Sequence, residues 1–145
     1  MSEGAGPDVA NLDDDALFRA YRDGVLVPKD FVHAVHVRLA FIYLRREPDF
    51  GEAALAFRRD LKRFAHENGV GHIYHETLTW AYLALLAERM HDDDASDSRE
   101  FLQRFPDLAR HRGGALERYY DLERITASKK AREVFVLPTR ASDGA

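Results

Sequence analysis

Residues 30–46 read DFVHAVHVRLAFIYLRR, and this stretch decides the fold class. Apolar side chains recur at Val35, Leu39 and Ile42, a spacing of three and four residues that is typical of a helix with an apolar face. Pro48 follows closely and ends the helix, because proline lacks the backbone N–H that a helix interior needs. The stretch therefore predicts a long amphipathic helix rather than a strand.

The segments on both sides continue the helical pattern. Asn11 or Asp13 can cap a first, shorter helix that Gly24 ends. A third helix is expected over 49–68, and a fourth, the most apolar, over 72–91. No stretch shows the strict alternation of a strand. Shorter helices are expected over 98–104, 106–110, 115–121 and 127–135.

Together these elements predict an all-α fold, a single-domain helical bundle with three long helices and several short ones. The domain is expected to span residues 11–138. The polar, glycine-containing residues 1–10 are expected to be disordered, and residues 139–145 are expected to form a flexible tail. A length of 145 residues suits one domain with one core.

Composition narrows the functional classes. The chain has no cysteine, which excludes thiolate metal sites, disulfides and cysteine nucleophiles and is compatible with a cytoplasmic location. Its formal net charge of -4 argues against general nucleic-acid binding. The longest apolar run, residues 80–87, is too short to span a membrane, and the N-terminus lacks the pattern of a secretory signal. A small-molecule substrate is therefore the expected partner, and self-association into a homo-oligomer is left open.

Two His-x-x-His pairs are the most informative feature of the sequence. His33 and His36 lie in the helix described above, and His72 and His75 lie at the start of the expected fourth helix, directly before Glu76. Residues three apart share one face of a helix, so each pair is expected to present two imidazoles side by side. Bringing the two faces together would place up to four imidazoles and one carboxylate in a partly dry pocket.

Such a cluster is typical of a transition-metal site, because neutral imidazole is a good ligand for copper, zinc and iron. A carboxylate-bridged di-iron site would need several glutamates, and a zincin site would need a histidine at the position of Thr79. A mononuclear site with three histidines and Glu76 remains. Two other interpretations stay open: a metal-free catalytic or ligand-binding cluster, and histidines with a purely structural role.

The stretches HAVHVRLA, residues 33–40, and YHETLT, residues 74–79, carry a resemblance to a known family. They resemble the His-x-x-His-[Leu/Val]-Arg and Tyr-His-Glu-Thr motifs of an uncharacterised family of small bacterial helical proteins. The resemblance covers most of residues 30–138, implies no particular activity and leaves His72 outside the motifs. It implies a functional set of four residues: His33, His36, His75 and Glu76.

The expected function is a metal-dependent enzyme that acts on a small organic molecule. A copper or iron ion would favour an oxidoreductase, and a zinc ion a hydrolase or lyase. Glu76 would be a fourth ligand or a general base, and Tyr74 would hydrogen-bond to the substrate. The alternative is a non-catalytic module that binds a metal or a small ligand. The expected metal ligands are His33, His36, His75 and Glu76.

Other side chains near the histidines have two interpretations each. Arg38 and Arg45 could bind an anionic substrate at the mouth of the pocket, although arginines on a helix surface are usually solvated. Tyr82 belongs to a group of aromatic residues that could line the pocket or simply form core. The other members of that group are Tyr43, Tyr74 and Trp80.

Overall fold

The computed structural model describes residues 8–140, and all regular secondary structure in that range is helical. The expected all-α fold is thereby confirmed. Five short 3-10 turns lie before or between the α-helices of this range: Val9–Asn11, Pro28–Asp30, Gly71–Ile73, Pro106–Leu108 and Ala115–Arg118. The α-helices are α1 (Asp14–Arg22), α2 (His33–Arg46), α3 (Phe50–Glu67), α4 (Glu76–His91), α5 (Ser98–Arg104), α6 (Leu122–Ala127) and α7 (Lys129–Glu133).

The expected disordered segment 1–10 and flexible tail 139–145 fall mainly outside the described residues. Val9, near the start of the described residues, is buried and belongs to a 3-10 turn. Packed structure therefore begins before residue 11, the predicted boundary of the domain. No helix between residues 8 and 140 combines the length and the apolar character needed to cross a membrane.

Most helix starts follow from local sequence. An aspartate precedes α1, α3, α5 and α6, and its carboxylate accepts a hydrogen bond from the backbone N–H three residues later, at 2.8 to 3.3 Å. Each such bond satisfies a donor that the first turn of a helix leaves unpaired. The capping residues are Asp13, Asp49, Asp97 and Asp121.

The start of α4 differs from the prediction. The helix was expected from residue 72, but the chain forms a 3-10 turn over Gly71–Ile73 and α4 begins only at Glu76. His75 is the residue that caps it, since its Nδ1 accepts a hydrogen bond from the N–H of Leu78 at 3.1 Å. The prediction that His72 and His75 share one helix face is therefore wrong.

Helix α2 lies at the centre of the fold and packs against α1, α3, α4 and α5. The predicted apolar positions Val35, Leu39 and Ile42 are buried, and so are Val37 and Phe41 on other sides of the same helix. Neighbours on several sides explain this burial, because a helix that is apolar all round is typical of a core position. The central place of α2 also fixes the two histidines in its first turn.

Arg38 is buried in the core, whereas the sequence predicts it at the mouth of the pocket or on the solvated helix surface. It is 4% exposed and donates hydrogen bonds to Ser98 Oγ at 2.7 Å, to the carbonyl oxygen of Leu12 at 2.6 Å and to Asp14 Oδ1 at 3.2 Å. A buried guanidinium of this kind is tolerated because its donors are paired. Arg38 therefore fastens the N-terminal segment and α5 to α2, and its donors are occupied by the protein itself.

Candidate functional site

A cavity of about 420 Å³ lies between α2, α3 and the start of α4. Its walls are largely apolar and aromatic, with Phe31, Phe57, Leu61 and Phe64 among them. Polar groups come from four histidines together with Tyr74, Thr79 and Tyr82, and no Asp, Glu, Lys or Arg among the described residues lines it. The cavity thus combines neutral polar groups with an apolar body, as small-molecule sites commonly do. The four histidines are His33, His36, His75 and His111.

His33 stands at the first position of α2 and faces the loop that follows α5. Its Nε2 is 3.0 Å from the carbonyl oxygen of Leu108, which can only accept, so Nε2 carries the proton and Nδ1 does not. Its ring centroid is 4.9 Å from that of Tyr82 and 5.4 Å from that of His111. Burial lowers the pKa of His33, with His111 acting in the same direction, so this ring is neutral at pH 7.

His36 is the least satisfied polar side chain of the cavity. Its ring packs edge-on against Phe31, with centroids 4.2 Å apart, and no residue between 8 and 140 hydrogen-bonds to it. Burial lowers the pKa of His36 to about 4, and the nearby His33 adds to this effect. The ring is therefore neutral at pH 7 and keeps one donor and one acceptor for an occupant of the cavity.

Tyr82 and His111 form a hydrogen-bonded pair at the same cavity. The Tyr82 hydroxyl and Nδ1 of His111 are 2.9 Å apart. Burial raises the pKa of Tyr82 and lowers that of His111, so the phenol keeps its proton and the imidazole stays neutral. The predicted pocket role of Tyr82 is therefore the one that this geometry favours.

Sequence reasoning missed His111. It stands in the irregular segment between Leu108 and Gly114, where no periodicity relates it to a helix face. That segment is held in place from α4, because Arg89 donates two hydrogen bonds to Asp107, both at 2.8 Å. This ion pair and the hydrogen bond between Tyr82 and His111 both join the segment to α4, and a single sequence carries no signal of either contact.

Gly114 sets the shape of the loop that carries His111. A Cβ here would lie 1.9 Å from the carbonyl oxygen of Arg110 and 2.8 Å from that of Asp107. Because backbone atoms cannot swing aside, we expect Gly114→Ala to lower the free energy of unfolding by more than about 1 kcal/mol. Gly51 lies in the first turn of α3, and a Cβ there would be 3.6 Å from its nearest neighbour, a side-chain oxygen of Asp49, so Gly51→Ala should leave the free energy of unfolding unchanged or raise it by up to about 0.5 kcal/mol. Thermal melts followed by circular dichroism compare the two variants, and equal melting temperatures would contradict this account of Gly114.

His75 borders the cavity, but both of its ring nitrogens are engaged. Nδ1 accepts from the N–H of Leu78, and Nε2 donates to the carbonyl oxygen of Ile125 at 2.8 Å. These two bonds fix the neutral tautomer, and burial lowers the pKa of His75 accordingly. The side chain thus caps α4 and ties its first turn to α6.

Glu76 lies outside the cavity lining and bridges α3 and α4. Its carboxylate accepts hydrogen bonds from Arg58 Nε at 2.9 Å, from the Tyr74 hydroxyl at 2.8 Å and from Trp80 Nε1 at 3.1 Å. Burial alone would raise the pKa of Glu76, but the bonds from Tyr74 and Arg58 outweigh it and lower the pKa. Tyr74 consequently contributes to the cavity wall while its hydroxyl is committed to Glu76.

The predicted site residues are only partly brought together. His33, His36, His75 and Tyr74 line one cavity, Glu76 does not, and His72 is exposed on the preceding turn. Within residues 8–140, no group of three or more His, Asp or Glu side chains is arranged to hold a metal ion. Comparisons with family models, with curated proteins and with solved structures found no match to this chain.

Proposed function

We propose that this protein binds a small, uncharged organic molecule in the cavity between α2, α3 and α4. The observation that carries the proposal is His36, whose ring lines the cavity and has no hydrogen-bond partner in the described part of the chain. The ring is partly exposed, and its nitrogens have no hydrogen-bond partner among residues 8–140, so they are available to water or to a ligand. A ligand that fills the apolar cavity and pairs with the ring would replace that water.

The absence of charged side chains from the described lining argues for an uncharged ligand. A bare carboxylate or ammonium would lose its hydration without gaining an ion pair. The four imidazoles do not supply a charge, since the pKa of each is lowered. The volume of about 420 Å³ falls within the roughly 300–1,000 Å³ of small-molecule sites.

The binding test uses the neutral dye N-phenyl-1-naphthylamine, whose fluorescence rises in apolar surroundings. The purified chain should enhance its emission saturably. Ala40 is buried and lines the cavity, so Ala40→Leu should fill ligand space and weaken dye binding by about tenfold or more. Ala34→Leu is the matched control, because Ala34 is in the same helix but not in the lining. Absence of binding, or equal binding by both variants, would contradict the proposal.

A metal-dependent enzyme is the second candidate, as the histidine pairs suggested. It is favoured by the number of neutral imidazoles around one cavity and by the unpaired ring of His36. His33, with Nδ1 unprotonated, and His111 would complete a ligand set for copper, zinc or iron more easily than His75 and Glu76, whose polar atoms are engaged.

Elemental analysis of protein purified without a histidine tag separates the two candidates. The metal-dependent enzyme requires about one equivalent of a transition metal that is lost in His36→Ala. The exposed His72 provides the control, because His72→Ala should keep the metal. Metal-free protein that still binds the dye would support binding of an uncharged organic molecule and would contradict the metal-dependent enzyme.

A further inference from the structure

We infer that the occupant of this cavity is an aromatic alcohol, a phenol-type molecule whose ring lies among the aromatic side chains and whose hydroxyl pairs with His36. The inference rests on the proposed function and adds the class of ligand to it. It combines two features of the lining, its content of rings and its unpaired hydrogen-bonding groups.

Rings dominate the cavity. Nine of its nineteen lining residues are Phe, Tyr or His. Phe31 stacks on Phe64, with centroids 4.6 Å apart and planes at 26°, and meets His36 edge-on at 68°. Aromatic pairs favour stacked and edge-to-face contacts, so a planar aromatic ligand would extend both arrangements at little cost in conformational entropy. An aliphatic chain would bury the same area without those contacts.

The unpaired polar groups match a hydroxyl. A neutral imidazole has one donor and one acceptor, and both are unpaired on His36. His33 adds an acceptor, because its proton is used in the bond to Leu108. A hydroxyl donates one hydrogen bond and accepts another, so it can satisfy His36, or His36 together with His33.

Charged alternatives to a hydroxyl have no counter-ion here. A carboxylate would need a basic residue, but the donors of Arg38 are spent in the core and Arg58 is paired with Glu76. An amine would need a carboxylate, but that of Glu76 is shared among three donors, and Asp60 accepts from Tyr43 at 2.6 Å and pairs with two arginines. These arginines and carboxylates are thus paired within the protein, and Lys62, which is outside the lining, places its Nζ 5.3 Å from the ring centroid of Tyr74.

The phenolic proton should stay on the ligand. His36 is a weak base in this cavity, since burial holds its pKa at about 4, and a phenolate would be a bare anion among apolar walls. The bond is therefore a neutral hydrogen bond from the ligand hydroxyl to imidazole. Binding should shift the ionisation of a weakly acidic phenol towards its neutral form.

The test compares 4-nitrophenol, which ionises close to neutral pH and is yellow only as the phenolate, with 4-nitroanisole, its methyl ether without a donor. Near neutral pH the protein should bleach the yellow absorbance as it binds. At a pH where the phenol is neutral, it should bind about 5- to 10-fold more tightly than the ether. This ratio corresponds to the free energy of the one hydrogen bond that the ether cannot donate. His36→Leu should remove that preference, while His72→Leu should keep it.

Dye binding by His36→Leu shows that the variant has kept its fold and cavity. Equal affinity for the phenol and the ether, or a deepening of the yellow colour on binding, would overturn the inference. If the dye and the ether bind but the phenol has no advantage, the ligand class is wrong and the proposed binding function stands. If the wild-type chain binds none of the three compounds, both fail.

Discussion

Arg38→Met should remove a large part of the stability of this protein. The substitution keeps an unbranched side chain of similar length but removes the guanidinium, which is 4% exposed. The carbonyl oxygens of Val9 and Leu12 would lose this donor, and the Asp14 carboxylate would keep only its bonds from Ser98. Removing one partner of a buried, hydrogen-bonded ion pair lowers the free energy of unfolding by about 3–5 kcal/mol. A typical domain has only about 5–15 kcal/mol in total, so a loss of this size should lower the urea midpoint well below that of the wild-type chain.

Arg45→Met is the matched control, because Arg45 lies two turns further along α2 and bonds to exposed backbone oxygens of the loop before α5. Its loss should cost less than about 1 kcal/mol. Urea unfolding followed by circular dichroism measures both variants. An Arg38→Met midpoint equal to that of Arg45→Met would show that this network does not stabilise the domain.

A double variant tests the network further. Asp14→Asn in the Arg38→Met background removes the charge that the first change leaves without a cation, although it also weakens the bonds from Ser98 to that side chain. The two effects should therefore be less than additive, because the residues share one network. Additive losses would indicate that Arg38 acts through its two backbone partners alone.

The local sequence was enough to predict the helices whose first turns are stabilised by hydrogen bonds to nearby residues. The capping aspartates bond to backbone three residues away, and the predicted span of α5 is the observed one. The beginning of α4 could not be found in this way. His75 caps that helix and also bonds to Ile125, fifty residues later, so its role depends on a contact that one sequence does not contain.

The predicted site shows the same division. His33 and His36 were correctly placed on one helix because their spacing of three is a property of that helix. Glu76 is expected beside them only if the helix begins at residue 72. With α4 starting at Glu76 itself, the carboxylate instead meets Arg58 of α3. Arg38 resembled a surface residue for a related reason, since its partners lie 24 to 60 residues away in sequence.

Acid should destabilise this protein before its carboxylates titrate, and His36 should be a main cause. The pKa of His36 is about 4 in the folded chain and about 6.5 when unfolded. Below pH 6.5 the unfolded chain gains a proton that the folded chain does not. The free energy of unfolding is therefore fully retained above pH 6.5 and falls as the pH drops towards 4. His33, His75 and His111 have lowered pKa values and add losses of the same sign.

Carboxylates act in a lower pH window. The pKa values of Asp60 and Glu76 are lowered from 3.8 and 4.5, because hydrogen bonds and arginines outweigh burial. Their contribution is present above those unfolded values and is lost as the pH falls through the lowered ones. A decline in stability between pH 6.5 and 5 therefore belongs to the histidines.

Urea unfolding at pH 7.5, 6, 5.5 and 5 measures that decline. The full shift at His36 would correspond to about 3 kcal/mol, and water in the cavity should reduce this to roughly 1–2 kcal/mol, of which only part falls above pH 5. His36→Leu should flatten the pH dependence, and the exposed His72→Leu should leave it unchanged. An equal slope in His36→Leu and the wild-type chain would mean that this imidazole titrates in the folded protein much as it does in the unfolded chain, which would contradict the lowered pKa of His36.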